Sequence, residues 1–288
     1  MRALAANIED VMREAAARWT LITYFILSSL FIVIFASAVN LDIVNGSLAG
    51  AQLFGHNAHI RGNSSDLNVE QLVLAFESTF SSIVLYTLCT FMAIFATAHL
   101  VPRLQEKGTI DLYLSRPTGR VKLLMTRYLA GLALAASNIV YLYGAVWLIV
   151  AWKTHILNPR FLLAGVINLG MVATMLAFAF VVGVITSSTA VSIMATFATF
   201  LFAVLLYLLN RVSASFSKDW EVALTKTLYW VLPKSFELGK GIFTFIAGSE
   251  LKLHNISLDV AASAYWSTAL FGIVSLVLAS WLFTRKEF

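Results

Sequence analysis

Six stretches of this chain run almost uninterruptedly apolar for twenty residues or more, approximately 19–39, 76–100, 121–151, 161–185, 190–209 and 264–283. At 1.5 Å per residue five are long enough to cross a hydrocarbon core of ~30 Å, and the sixth is marginal but sufficient. Their backbone polar groups must be satisfied within the bilayer, so the runs form helices or a closed barrel. No strand-like alternation breaks them, and their lengths suit helices. The chain is 59% hydrophobic and only 12% charged, against about 25% charged in a soluble globule. The expected fold is all-α: a polytopic membrane protein of six transmembrane helices, forming a single domain over 1–288. Span 121–151 begins with Lys122 and Arg127, so its first turns extend beyond the lipid. The one cysteine, Cys89, lies inside an apolar run, reads as a small buried hydrophobe, and excludes an intramolecular disulfide.

Charge placement sets the expected orientation. The segments before the first span, between the second and third, and after the sixth hold eleven Lys and Arg residues, from Arg2 to Lys286. The segments 41–75 and 152–160 hold three, Arg61, Lys153 and Arg160. The positive-inside rule therefore places both termini in the cytoplasm, for a multi-pass protein of an inner or plasma membrane. Segment 210–263 opposes this with six cations against five acidic residues, but long translocated segments obey the rule poorly. Net charge +5 thus encodes topology, and no nucleic-acid partner is expected.

Residues 1–18 read as an amphipathic helix on the membrane surface. Leu4, Ile8, Val11, Met12 and Ala15 share one face, and Glu9 with Arg13 and Glu14 with Arg18 pair on the other. Ala36-Ser37-Ala38 resembles a leader-cleavage site, but the acidic residues and the long apolar run argue against a leader. Segment 40–75, rich in Asn, Ser, Gly and His, reads as a loop with little structure of its own. Its His56 and His59 have no carboxylate or third histidine beside them and read as a solvated pair, so no metal is expected. Within the outer segment 210–263, the stretch 222–248 is apolar but broken. Lys226, Lys234, Glu237 and Lys240 interrupt it chemically, and Pro233, Gly239 and Gly241 are expected to interrupt any helix. Helices that dip into the bundle and return, or that lie on its outer face, satisfy both constraints.

Catalytic chemistry is missing from the pattern. No HExxH, GxSxG or GxxxxGK[ST] occurs, and Gly239-Lys240 lacks the flanking residues a phosphate loop needs. No deep Asp, Glu, Lys or Arg stands between the span ends; Glu77 and His99 lie near those ends and are expected to snorkel outward. A secondary transporter needs such a charge or discontinuous repeats. An energy source has to come from another subunit.

Residues 104–120, LQEKGTIDLYLSRPTGR, are the one charged, glycine-broken and proline-broken interruption that retains a short apolar turn. Gly108 permits a turn, Thr109 can cap a helix, and Asp111 favours its first turn. Ile110, Leu112, Tyr113 and Leu114 give apolar surface, and Arg116-Pro117 ends it. Two readings stay open on this physics: a rigid knob receiving mechanical work, and a polar loop whose apolar turn rests on the membrane.

The same segment resembles the cytoplasmic signature E-x-G-T-[IL]-[DE]-x-[LY]-L-[SA]-x-P-x-[ST]-R of type-2 ABC exporter permeases, including the branch of copper-enzyme maturation permeases. Glu106, Gly108, Thr109, Ile110, Asp111, Leu112, Leu114, Ser115, Pro117 and Arg120 match, and Gly119 stands where serine is common. The resemblance implies a transmembrane permease without its own ATPase site. Such a chain pairs with a second permease chain, identical or related, and with separate ABC-type ATPase subunits that bind ATP and Mg; the permease itself binds no cofactor. It further implies that residues 109–114 couple to the ATPase, with Arg103, Lys107, Arg116 and Arg120 on the rim, and that the 186–189 turn makes a smaller contact. Ser78, Ser81, Ser82, Ser192, Thr196 and Thr199 become pathway candidates, against an ordinary role in helix packing. An envelope partner, and a mechanotransmission or assembly role without transport, are further expectations of the family.

Overall fold

The structure, a computed structural model, describes residues 20–44, 47–53, 56–57, 69–105, 119–212, 219–248 and 261–286. Residues 1–18, expected to form the surface helix, lie outside them. Among the described residues five helical segments are long and apolar enough to cross a membrane: Glu70–Leu104, Arg120–Thr154, Pro159–Thr186, Thr189–Asn210 and Ala262–Arg285. The chain is therefore a multi-pass membrane protein. The first helix among the described residues, α1 (Thr20–Ala38), is apolar around its whole circumference, and its apolar stretch Ile22–Ala38 is shorter than the other five.

After α1 the chain forms a small antiparallel sheet, β1 (Val39–Val44), β2 (Ser47–Leu53) and β3 (His56–Asn57), in that spatial order. The register runs from Val39 opposite Leu53 to Val44 opposite Ser47, with an irregularity at Asp42/Ile43. The expectation of a loop here gives way to paired strands: the Asn- and Ser-rich composition hid a hairpin whose ladder satisfies the backbone. His56 is in β3, whereas His59 lies outside the described residues.

The segment Glu70–Leu104 is one bent span built of four pieces. Helix α2 (Val69–Phe80) leads into a π-helical turn at Ser81–Leu85, then α3 (Tyr86–Thr97) and α4 (Leu100–Leu104). The bend at Ala98–His99 has a chemical cause. Pro102 has no N–H to return to the carbonyl of Ala98, and its ring crowds that carbonyl, so the ladder resets.

Helix α5 (Arg120–Thr154) ends at His155, whose φ of 58° turns the chain. Asn158 then caps α6 (Pro159–Thr186): its side-chain oxygen accepts from the Arg160 N–H at 3.1 Å, and Pro159 takes the first helical position, where no N–H is needed. Helix α7 (Thr189–Val212) follows a tight turn at Ser187. The broken segment consists of α8 (Asp219–Val231) and α9 (Ser235–Ala247), and the chain closes with α10 (Ala262–Arg285).

Helix α6 is the hub, packing on α3, α5, α7, α9 and, most extensively, α10. Two apolar cores lie along it. One, around Leu100, Leu104, Leu124, Phe180, Val184 and Phe283, sits where the chain leaves α4 and enters α5. The larger one, around Tyr86, Ile139, Tyr143, Phe161, Met171 and Ile242, fills the half that receives α9.

Candidate functional site

The described residues flanking 106–118 form a polar clamp at one end of the bundle. On the near side the Gln105 amide N–H donates to the Gly183 carbonyl at 3.1 Å, and its Oε1 accepts from Ser187 Oγ and Lys286 Nζ, both at 2.6 Å. Lys286 also donates to Ser187 Oγ at 2.8 Å and to the Val184 carbonyl at 2.7 Å. On the far side Arg120 Nη1 donates to the carbonyls of Lys286 at 2.9 Å and Thr284 at 3.2 Å. Residues 105 and 120 are thereby joined through the end of α10 and the turn between α6 and α7.

Local structure explains why these groups meet. Ser187 is the left-handed cap of α6, with φ 53°, and its N–H returns to Gly183. That cap leaves the last carbonyls of α6 facing outward, where Gln105 and Lys286 satisfy them. Gly183 itself lets α4 approach: a Cβ there would stand 3.3 Å from Pro102 Cδ and 3.5 Å from Val101. Beneath the clamp, Leu104, Leu124, Phe180 and Phe283 are fully buried. Partial burial lowers the pKa of Lys286 from the ordinary lysine value, because desolvation penalises the ammonium. Its acceptors offset that cost.

Of the residues singled out in the sequence, Glu106, Gly108, Thr109, Ile110, Asp111, Leu112, Tyr113, Leu114 and Arg116 lie outside the described residues. Arg120 anchors the clamp as above. Arg103 is half-buried, and its Nη1 has no hydrogen-bond partner among the described residues. The six pathway candidates fall into two groups. Ser78, Ser81 and Ser82 lie in the first half of their span, around the π-helical turn, whereas Ser192, Thr196 and Thr199 lie in the first half of α7, near the clamp. The two helices run in opposite directions, so the structure does not bring the groups to one level. Ser78, Ser82, Thr196 and Thr199 return their hydroxyls to carbonyls three or four residues back. Ser192 donates to the Ala179 carbonyl of α6 at 2.5 Å, and Ser81 to the Tyr143 hydroxyl at 3.3 Å.

Residues 10–288 match the family model of the ABC-2 family transporter protein. The chain belongs to that family. No curated protein matches it. Membership makes the chain a permease-type membrane subunit, and in general implies an ABC ATPase partner.

In this ABC-2 protein several polar groups are buried against the protein instead of facing outward. Glu77 does not snorkel: it is 1% exposed, and its Oε2 accepts from Asn158 Nδ2 at 2.8 Å. Asn158 lies in the turn between α5 and α6, so Glu77 is level with that span end and holds the residue that caps α6. Lys234, 5% exposed, lies between α8 and α9, and its backbone N–H donates to Thr268 Oγ1 at 3.1 Å. Thr268 lies in the second turn of α10, so the break between α8 and α9 packs against that helix. The Lys234 ammonium sits 4.1 Å from the Trp230 ring centre and 4.6 Å from that of Tyr229, and Tyr229 bonds Glu237. Glu77 stays near the span ends, as expected, but is buried against Asn158 instead of snorkelling outward; Lys234, expected to interrupt the broken segment, is buried at its break.

Gly239 and Gly241, expected to break the helix, are inside α9; only the Leu232-Pro233-Lys234 step breaks it. The apolar surroundings turn glycine to packing. A Cβ at Gly239 would stand 3.3 Å from the Ser82 carbonyl and 3.6 Å from Tyr86, so its absence lets α9 dock on the π-helical turn. Tyr86 completes the joint, its hydroxyl donating to the Ser235 carbonyl at 2.8 Å. Beside it Asn168 bridges Tyr143 and Thr90, each at 3.3 Å.

Proposed function

We propose that this ABC-2 protein is the six-span membrane subunit of an ABC exporter, coupling ATP hydrolysis on separate ATPase subunits to export or other conformational work. In this reading α1 is the first span, both termini face the cytoplasm of a cell bounded by that inner or plasma membrane, and the clamp end is the cytoplasmic end. Residues 109–114 then engage a groove on the ATPase. Two permease chains pair, identical or related, and the ATPases bind ATP and Mg.

The observation that carries the reading is the clamp. A segment that transmits force has to be anchored at both flanks, or its displacement dissipates in loop motion. Gln105 is tied to the α6–α7 turn and to Lys286, and Arg120 to the end of α10 at Lys286 and Thr284, so Lys286 links the two flanks and a push between them reaches α6 and α10 together. The flanks rest on a fully buried apolar core that is poorly deformable.

The decisive experiment is affinity purification of the chain from its native membrane with assay of copurifying ATPase activity. The expected result is a stoichiometric ATPase that is lost with Leu112→Asp or on deletion of 109–114, while the thermal unfolding of the membrane part is unchanged. Failure of any ATPase to copurify with the unaltered chain removes the permease reading; full retention by both variants removes the coupling assignment.

A further inference from the structure

Helices α6, α8 and α10 leave between them an open groove of about 920 Å³, outside everything the coupling reading uses. One wall is a ridge on α10: Trp266, Leu270, Val274 and Leu278 recur every four residues and so share one face. All four are exposed, Trp266 by 76% and Leu270 by 62%. Phe178 and Val181 of α6 form the floor, and Trp230 of α8 the facing wall. From Trp266 to Leu278 the ridge runs about 18 Å at 1.5 Å per residue, close to the roughly 15 Å of half a hydrocarbon core.

The groove is polarised along its length. Ser263 and Ser267 stand at the end where α10 begins, and the lining below them is apolar except for Ser275. Trp266 and Trp230 are at the polar end, the placement amphipathic rings take at headgroup level. Trp230 is held in place from behind, with the Lys234 ammonium 4.1 Å from its ring centre. Helix α8 adds a charge. Its exposed described residues are Trp220, Ala223, Leu224, Lys226, Thr227, Trp230 and Val231, of which Lys226 alone is charged. Lys226 is exposed and precedes Trp230 by four residues, so the two share a face of α8; it lies outside the groove lining, next to its polar end along the helix.

We propose that this groove is a binding site for an anionic membrane phospholipid, one acyl chain lying along the Trp266–Leu278 ridge and the phosphate meeting Lys226. The shape alone would accept any acyl chain. The single cation on the exposed face of α8 selects the anionic headgroup, with an expected preference of roughly fivefold per lysine at a membrane surface. A pre-positioned tryptophan wall lowers the ordering cost of binding. The site needs no ATPase and stands independently of the coupling reading.

The test is native mass spectrometry of the full chain, stripped of lipid in detergent and titrated with phosphatidylglycerol or phosphatidylcholine. Unaltered protein is expected to retain one phosphatidylglycerol in preference to phosphatidylcholine by roughly fivefold. Val274→Trp fills the groove and is expected to abolish retention of both; the position is already exposed, so folding is spared. Lys226→Gln is expected to bring the two lipids to near-equal retention. Ile273→Trp, exposed on α10 but outside the groove, is expected to change nothing. Equal loss with Ile273→Trp, an undiminished preference in Lys226→Gln, or a disulfide between two chains carrying Leu270→Cys would each overturn the assignment, the last by showing that protein fills the groove.

Discussion

The two ends of the bundle are held by different physics. At the clamp, Gln105, Ser187, Arg120 and Lys286 make short bonds between chain ends that are half-buried or exposed, and water can replace each of them. At the other end α9 is wedged against the π-helical turn by a missing Cβ at Gly239 and by a buried bond from Tyr86 to Ser235. A wedge of that kind is not exchanged with solvent and tolerates little change of shape. The difference separates the two ends: the wedged end carries stability, and the clamped end can rearrange at modest cost, as the proposed coupling role requires of it.

The largest effect is therefore expected at Gly239. Gly239→Val drives a branched side chain toward the Ser82 carbonyl and should destabilise by about 2–3 kcal/mol, as overpacking in a tight contact does. Equilibrium unfolding in mixed micelles measures it. A loss smaller than that of the clamp variants would break the comparison outright.

Tyr86→Phe is expected to come next, at about 1 kcal/mol, because the buried Ser235 carbonyl keeps its helical donor but loses the tyrosine hydroxyl that ties α3 to α9. Glu77 sharpens the same point. Glu77→Gln keeps an oxygen for Asn158 Nδ2 and should be nearly neutral, whereas Glu77→Leu orphans that amide and should lose about 1 kcal/mol. Equal losses in the two would show that charge, not the bond to the α6 cap, is what the site needs.

Much of this architecture can be read directly from the residues. Apolar run length places the helices within a few residues of where they lie, because desolvated backbone has little alternative to helix. Spans 161–185 and 264–283 were expected where Pro159–Thr186 and Ala262–Arg285 are found. What escaped has a common cause, which is that tertiary contacts decide it. Glycine in α9 reads as a breaker until the π-helical turn appears beside it. Glu77 reads as a snorkelling carboxylate until Asn158 is seen beside it. Gln105 and Lys286 are 181 residues apart, and nothing local marks either as a partner of the other. Lys286 counted only as a topological charge, although a cation just past a helix end is suited to the carbonyls it meets there. The strands between 39 and 57 were hidden because their pairing, not the composition of the segment, stabilises them.

The smallest effect on stability, and the most telling for mechanism, is expected at Lys286. Lys286→Met removes the bonds to Gln105, Ser187 and Val184, but water replaces them at the half-exposed position, so the loss should stay below about 1 kcal/mol. Stimulation of the copurified ATPase should fall much further, because the push on one flank no longer reaches α10. Lys286→Arg keeps a donor and should restore most of it. Unfolding and ATPase rate measured on the same preparations separate the two quantities: a proportional fall in both would make Lys286 an ordinary structural residue, and an unchanged rate would confine transmission to α6 and α7.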